Sequence, residues 1–193
     1  MSNVYENKKK IDLLVGSIFG IATIVFIILF FTNDSFFMWA FDRHHNILSW
    51  YIRPVFIIPI VFFAYKRSLT GVMVSIFSLF TSMFWFPVPA TVSPEIIEFL
   101  SFEQEYLKGS WDASKIFIQL SVPLFFIALI FAAWRRSWKY VLVVMIAAAV
   151  LKMLWSAIFA GDSGLSIIKP AITGLVVCIG VVYYFMRKKK QKK

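Results

Sequence analysis

The chain has 193 residues, of which 60% are hydrophobic and 19% aromatic, including 22 Phe and 7 Trp, and its mean hydropathy is +0.79. A water-soluble domain averages about 45–50% apolar residues, so this composition excludes one and points to a single lipid-embedded, all-α, polytopic membrane domain. The formal net charge of +10 is divided among short segments, which argues against nucleic acid as a partner.

Residues 1–10 read as a flexible polar tail ending in Lys8-Lys9-Lys10. The first predicted span, residues 11–32, is long enough to cross about 30 Å of hydrocarbon. No small-residue cleavage site follows it, so it is expected to be retained. Gly16 and Gly20 lie one helical turn apart and predict a close approach by a neighbouring helix. Residues 33–46 form a connector in which Phe36 to Phe41 are apolar. Six apolar residues cannot span, so this piece is expected at the interface or dipping back among the helices.

A second span is predicted over residues 47–65, kinked by Pro54 and Pro59 and closed by Lys66-Arg67. A third, residues 68–86, aligns Ser68, Ser75, Ser78 and Ser82 as a small-residue packing stripe. Pro87-Val88-Pro89 ends it. Residues 93–108 then read as a short interfacial helix, with Ser93 as N-cap, Pro94 in the first turn, Glu95 and Glu98 near the positive end of the dipole, and Gly109 as the stop. Trp50, Tyr51, Trp85 and Trp111 suit an aromatic belt at the same level.

The fourth span, residues 115–134, carries Gln119 and Pro123, and Arg135-Arg136-Ser137 turns the chain into the fifth, residues 138–160. Lys152 breaks the apolar run of that fifth span. Residues 161–164 read as a turn by composition. The sixth span, residues 166–186, opens with Lys169-Pro170 and leads into a flexible basic tail, residues 187–193. Cys178, the only cysteine, permits no internal disulfide.

Six spans put both ends on one side, with the connections near residues 66 and 136. That side holds fourteen of the twenty Lys and Arg, against Glu6 and Asp12 alone among the acids. Short loops rich in Lys and Arg stay cytoplasmic, so a multi-pass plasma-membrane protein with cytoplasmic termini is expected.

The remaining charges gather toward the opposite leaflet. Arg53 is expected roughly 9 Å, Lys152 roughly 12 Å and Gln119 roughly 7 Å below the outer ends of their helices, at 1.5 Å per residue. Charges within hydrocarbon are costly and commonly line ligand pathways. Arg53 and Lys152, with Arg43, Gln119, Lys169, Asp42, Glu95 and Glu98, are therefore the candidate ligand-binding set. Asp42, Glu95, Glu98 and Asp162 are the candidate counter-charges. His44 and His45, the only histidines, are candidate metal ligands beside those acids, although no His-Glu-x-x-His spacing supports them. No cofactor is expected, a metal ion at the histidines being the one alternative the pattern leaves open.

No catalytic constellation is present, and an enzyme is the less favoured reading. The favoured one is a small transporter or ligand-binding membrane subunit with an outward-facing polar pocket for an anionic or amphipathic molecule. The alternatives are an outer-leaflet enzyme acting on lipid headgroups, metal-dependent through the histidines, and an accessory subunit of a membrane complex. Expected partners are membrane lipids and a second membrane protein or a second copy of the chain.

Overall fold

A computed structural model describes residues 2–159 and 161–190; of these, the side chains of residues 2, 3, 161–163, 185, 186 and 188–190 are not described. The described residues form helices α1 (Ser2–Thr32), α2 (Asp34–His44), α3 (Leu48–Val55), α4 (Ile57–Lys66), α5 (Leu69–Thr81), α6 (Pro94–Lys108), α7 (Ala113–Trp134), α8 (Trp138–Phe159) and α9 (Ile168–Lys190), with 3-10 turns at Ser82–Phe84 and Gly161–Ile167 and no strand. Five stretches are long and apolar enough to cross a membrane: Val4–Thr32, Leu48–Lys66, Ala113–Trp134, Trp138–Phe159 and Gly164–Tyr184. The chain is an all-α polytopic membrane protein.

Several details differ from the sequence expectation. The third predicted span, expected over residues 68–86, is the shorter apolar stretch Leu69–Phe84. It tightens into a 3-10 turn and then unwinds before Pro87 and Pro89, which lack the N–H groups needed to continue it. The terminal segments are helical where described, α1 beginning at Ser2 and α9 running to Lys190, which does not bear on whether the tails are flexible. Lysine is a good helix former, and Glu6 stands one turn before Lys10, a favourable pairing order. The second span divides at Phe56, between α3 and α4. Pro59 explains the break, because its ring clashes with the carbonyl four residues earlier, that of Val55.

Connector α2 dips back among the helices. Asn33 caps it by accepting from the Phe36 N–H at 2.9 Å. Its face of Phe37, Ala40 and Phe41 is at most 1% exposed, packed with Phe30, Trp50 and Phe99. Trp50, expected in an aromatic belt, is buried there, whereas Trp85 and Trp111 are about half exposed.

Helices α1 and α5 lie side by side in the same direction. Asp12 meets residues 68–70, Phe19 meets Phe77, and Phe26 meets Phe84. Asp12 caps α5 from the neighbouring helix: its carboxylate accepts from the Leu69 N–H at 2.8 Å, the Thr70 N–H at 3.2 Å and the Ser68 hydroxyl at 2.8 Å. Gly16 makes this approach possible, since a Cβ there would lie 2.7 Å from the Leu69 Cγ. The serine stripe faces inward as a packing surface, with Ser75 and Ser82 buried and bonded to their own helix backbone.

The bundle therefore has two distinct ends. The Asp12 clasp, the stacked pair Tyr65–Trp138 and the turns at Arg67 and Arg136 mark the end that carries the termini. Helices α2 and α6 with the turn Gly161–Ile167 cover the other.

Candidate functional site

The covered end is built around the corner where α2 gives way to α3. The Asn46 side chain shapes it, accepting from the Leu48 N–H at 3.1 Å and donating to the Pro87 carbonyl at 3.1 Å. The Trp50 indole N–H donates to the His44 carbonyl at 2.9 Å, tying the new helix to the old one. The Ser49 hydroxyl donates to the Asn46 carbonyl at 2.7 Å.

His44 sits within this corner, 5% exposed. Its Nδ1 lies 2.8 Å from the Ser49 Oγ, and its Nε2 lies 3.4 Å from the Arg53 Nη1. A guanidinium only donates, so Nε2 accepts. On that network the proton is assigned to Nδ1, which donates to Ser49. The polar chain then runs in one sense, from Arg53 through His44 and Ser49 to the Asn46 carbonyl. Burial first, and then the charges of Arg53, Lys152 and His45, hold the imidazole well below its ordinary value of 6.5. His44 is a neutral acceptor for Arg53.

Lys152 reaches the same place from α8. Its Nζ lies 3.6 Å from a Glu103 carboxylate oxygen and 4.9 Å above the Trp155 ring. Glu103 is also within electrostatic reach of Arg53. Lys152 thus pairs with a carboxylate whose charge also reaches Arg53, beside a neutral imidazole. The predicted counter-charges do not fill this role: Asp42, Glu95 and Glu98 are exposed, and none pairs with Arg53 or Lys152 among the described residues. The side chain of Asp162 lies outside the described set.

Glu103 was legible in principle. Ile96, Phe99 and Leu100 are the buried face of α6, and Glu103 falls seven residues after Ile96 on that stripe. An acid on an apolar stripe is the signal, and the more conspicuous acids, Glu95 and Glu98, point away. The Glu95 carboxyl is held below its ordinary range first by its own backbone N–H and then by the Ser93 hydroxyl.

Below Glu103, α6 meets α8 through aromatic contacts. Tyr106 packs edge-on to Trp155 at 5.3 Å, and Phe102 lies 5.9 Å from the same ring. Gln119 stands beside Tyr106. The Trp155 indole N–H and the Ser156 hydroxyl are buried without a hydrogen-bond partner among the described residues, and the Tyr106 hydroxyl has only the Gln119 side chain within reach. Buried polar groups are normally satisfied, so these two unpaired donors are exceptions at this end of the bundle.

The remaining candidates are spent elsewhere. Arg43 stacks over Trp39 at 4.2 Å, and Lys169 is exposed in the first turn of α9. The His45 Nδ1 donates to the Phe41 carbonyl at 2.8 Å. No group of three or more His, Cys, Asp or Glu is placed to hold a metal ion among the described residues. Lys115, which the sequence reading passed over, is 4% exposed. It closes α6 by donating to the Leu107 and Gly109 carbonyls at 3.2 and 2.9 Å.

Compared with known proteins, the chain matches no family model, no curated protein and no solved structure.

Proposed function

We propose that this protein is a ligand-binding membrane subunit or small transporter whose site faces outward at the covered end of the bundle. Its ligand is a small anionic or amphipathic molecule. One observation carries the reading: Lys152 lies 3.6 Å from the Glu103 carboxylate with Arg53 within electrostatic reach of the same acid, beside the Trp155 N–H and the Ser156 hydroxyl, which are buried without a partner among the described residues. An anionic group beside Lys152 complements the two cations, and the Tyr106 and Ser156 hydroxyls and the Trp155 N–H are donors for its oxygen atoms. The aromatic walls of Phe102, Tyr106 and Trp155 suit an attached apolar portion.

An outer-leaflet enzyme gains less. Both ring nitrogens of His44 are engaged, so the base of such an enzyme falls to His45, whose Nδ1 donates to the Phe41 carbonyl and which no carboxylate orients among the described residues.

The test is a thermal-shift screen of the purified protein against small carboxylates, phosphates and amphipathic anions. At least one class is expected to raise the melting temperature of the native chain, by an amount growing with the logarithm of its concentration. Lys152→Met should abolish the shift while leaving the helical circular-dichroism spectrum intact. No shift from any class, or equal shifts in both proteins, would refute the reading.

A further inference from the structure

A groove opens between α4, α8 and α9 at the opposite end of the bundle. Its volume is about 150 Å³. Ile57, Val61, Met145 and Val182 contribute to its walls, and Lys66 and Trp138 stand at its mouth. From Ile57 to Lys66 it follows α4 for roughly 13 Å at 1.5 Å per residue, a stretch suited to part of one acyl chain. All three helices belong to membrane-crossing segments, so lipid is the medium this groove meets.

The mouth is cationic, and its cations have no acidic partner among the described residues. Lys66 sits 5.8 Å above the Phe62 ring and Arg136 5.0 Å above the Tyr65 ring, and neither joins a salt bridge there. The nearby acid on α1, Asp12, is occupied in capping α5. Tyr65 also stacks on Trp138 at 5.2 Å, and the Trp138 indole N–H is buried without a hydrogen-bond partner among the described residues. Two unneutralised cations above an apolar slot need a partner that is anionic and carries hydrocarbon.

The backbone adds a second, independent sign. Arg67 and Arg136 occupy the left-handed region at φ 59° and 56°, where glycine is the unstrained choice. Both turns end helices at this end of the bundle and bring basic side chains to it.

We infer that this groove binds one anionic phospholipid from the leaflet at the terminal end of the bundle. One acyl chain lies along α4, and the phosphate is held by Lys66 and Arg136. This site is separate from the Arg53–Glu103–Lys152 cluster and stands or falls without it.

The experiment is native mass spectrometry of the full chain in mild detergent, titrated with phosphatidylglycerol or with phosphatidylcholine of matched chains. One phosphatidylglycerol per chain should be retained, with roughly tenfold or greater preference over phosphatidylcholine. Lys66→Gln with Arg136→Gln should bring phosphatidylglycerol down to the phosphatidylcholine level. Lys8→Gln with Lys10→Gln, at the same end but outside the groove, should leave the preference intact. Val182→Trp should weaken both lipids by filling the slot, and Val181→Trp at its edge replaces it if that protein does not fold. Equal affinity for the two lipids would overturn the inference. So would a preference surviving the Lys66/Arg136 change or lost in the Lys8/Lys10 control, a tryptophan variant binding as the native chain does, or two chains retained without lipid.

Discussion

The His44 ring links an always-charged Arg53 to the hydroxyl of Ser49 only while it stays neutral. Its folded-state value lies well below the ordinary 6.5, so the unfolded chain binds the extra proton first. Stability from this group is therefore complete above about pH 7 and is lost as the pH falls below 6.5 toward the lowered folded value. The melting temperature should drop on acidification from pH 7 to 5, and His44→Gln should flatten that slope whereas His45→Gln keeps it. An unchanged slope in His44→Gln would contradict the neutral assignment. At this scale the sequence was readable where a charge interrupts an apolar run, as at Arg53 and Lys152. It was not readable for Ser49, whose role depends on a corner that brings a residue five positions later back onto His44. The adjacent histidines invited a metal reading, but each Nδ1 is engaged by a different local partner.

Helix contacts explain why some elements matched their forecast and others did not. Long apolar runs and proline kinks declare themselves locally, so the positions of α7, α8 and the break before Pro59 were legible. Helix α2 was not, because its eleven residues acquire their helical role by burying Phe37 and Phe41 against other helices. The glycine pair shows the same limit: spacing announced a close approach but not by whom. The partner is α5, and only Gly16 is tightly met, since a Cβ at Gly20 would find Met73 Sδ at 3.7 Å as its nearest neighbour. Gly16→Ala should accordingly cost about 1–3 kcal/mol by overpacking. Gly20→Ala should stay within about 0.5 kcal/mol. Reversible unfolding in mixed micelles measures both, and equal costs would break the assignment.

The whole molecule separates its charge by end. Lys66, Arg67, Arg135, Arg136 and Lys139 stand with the basic terminal segments, whereas the acids of α6 lie at the covered end. Such an asymmetry was visible in composition alone, because insertion reads Lys and Arg in short loops regardless of tertiary contacts. The expected orientation is checked by labelling whole cells with a membrane-impermeant maleimide in a Cys178→Ala background. Ser101→Cys, exposed on α6, should react from outside, and Lys10→Cys should react only after the cells are opened. The reverse pattern would turn the protein over and move the proposed anion site to the cytoplasm.

The clasp between Asp12 and residues 68–70 has a consequence for biogenesis. Its donors follow the carboxylate by 56 to 58 positions, so the N-terminal half of α1 leaves the ribosome long before this clasp can form. Until then the nascent chain holds a lone carboxylate at the edge of the hydrocarbon, and Gly16 exposes a notch that other hydrophobic segments can enter. The emergence of Ser68, Leu69 and Thr70 fills the notch and supplies the carboxylate with hydrogen-bond donors in one step. The order in which the helices are made is therefore not the order in which they are fastened.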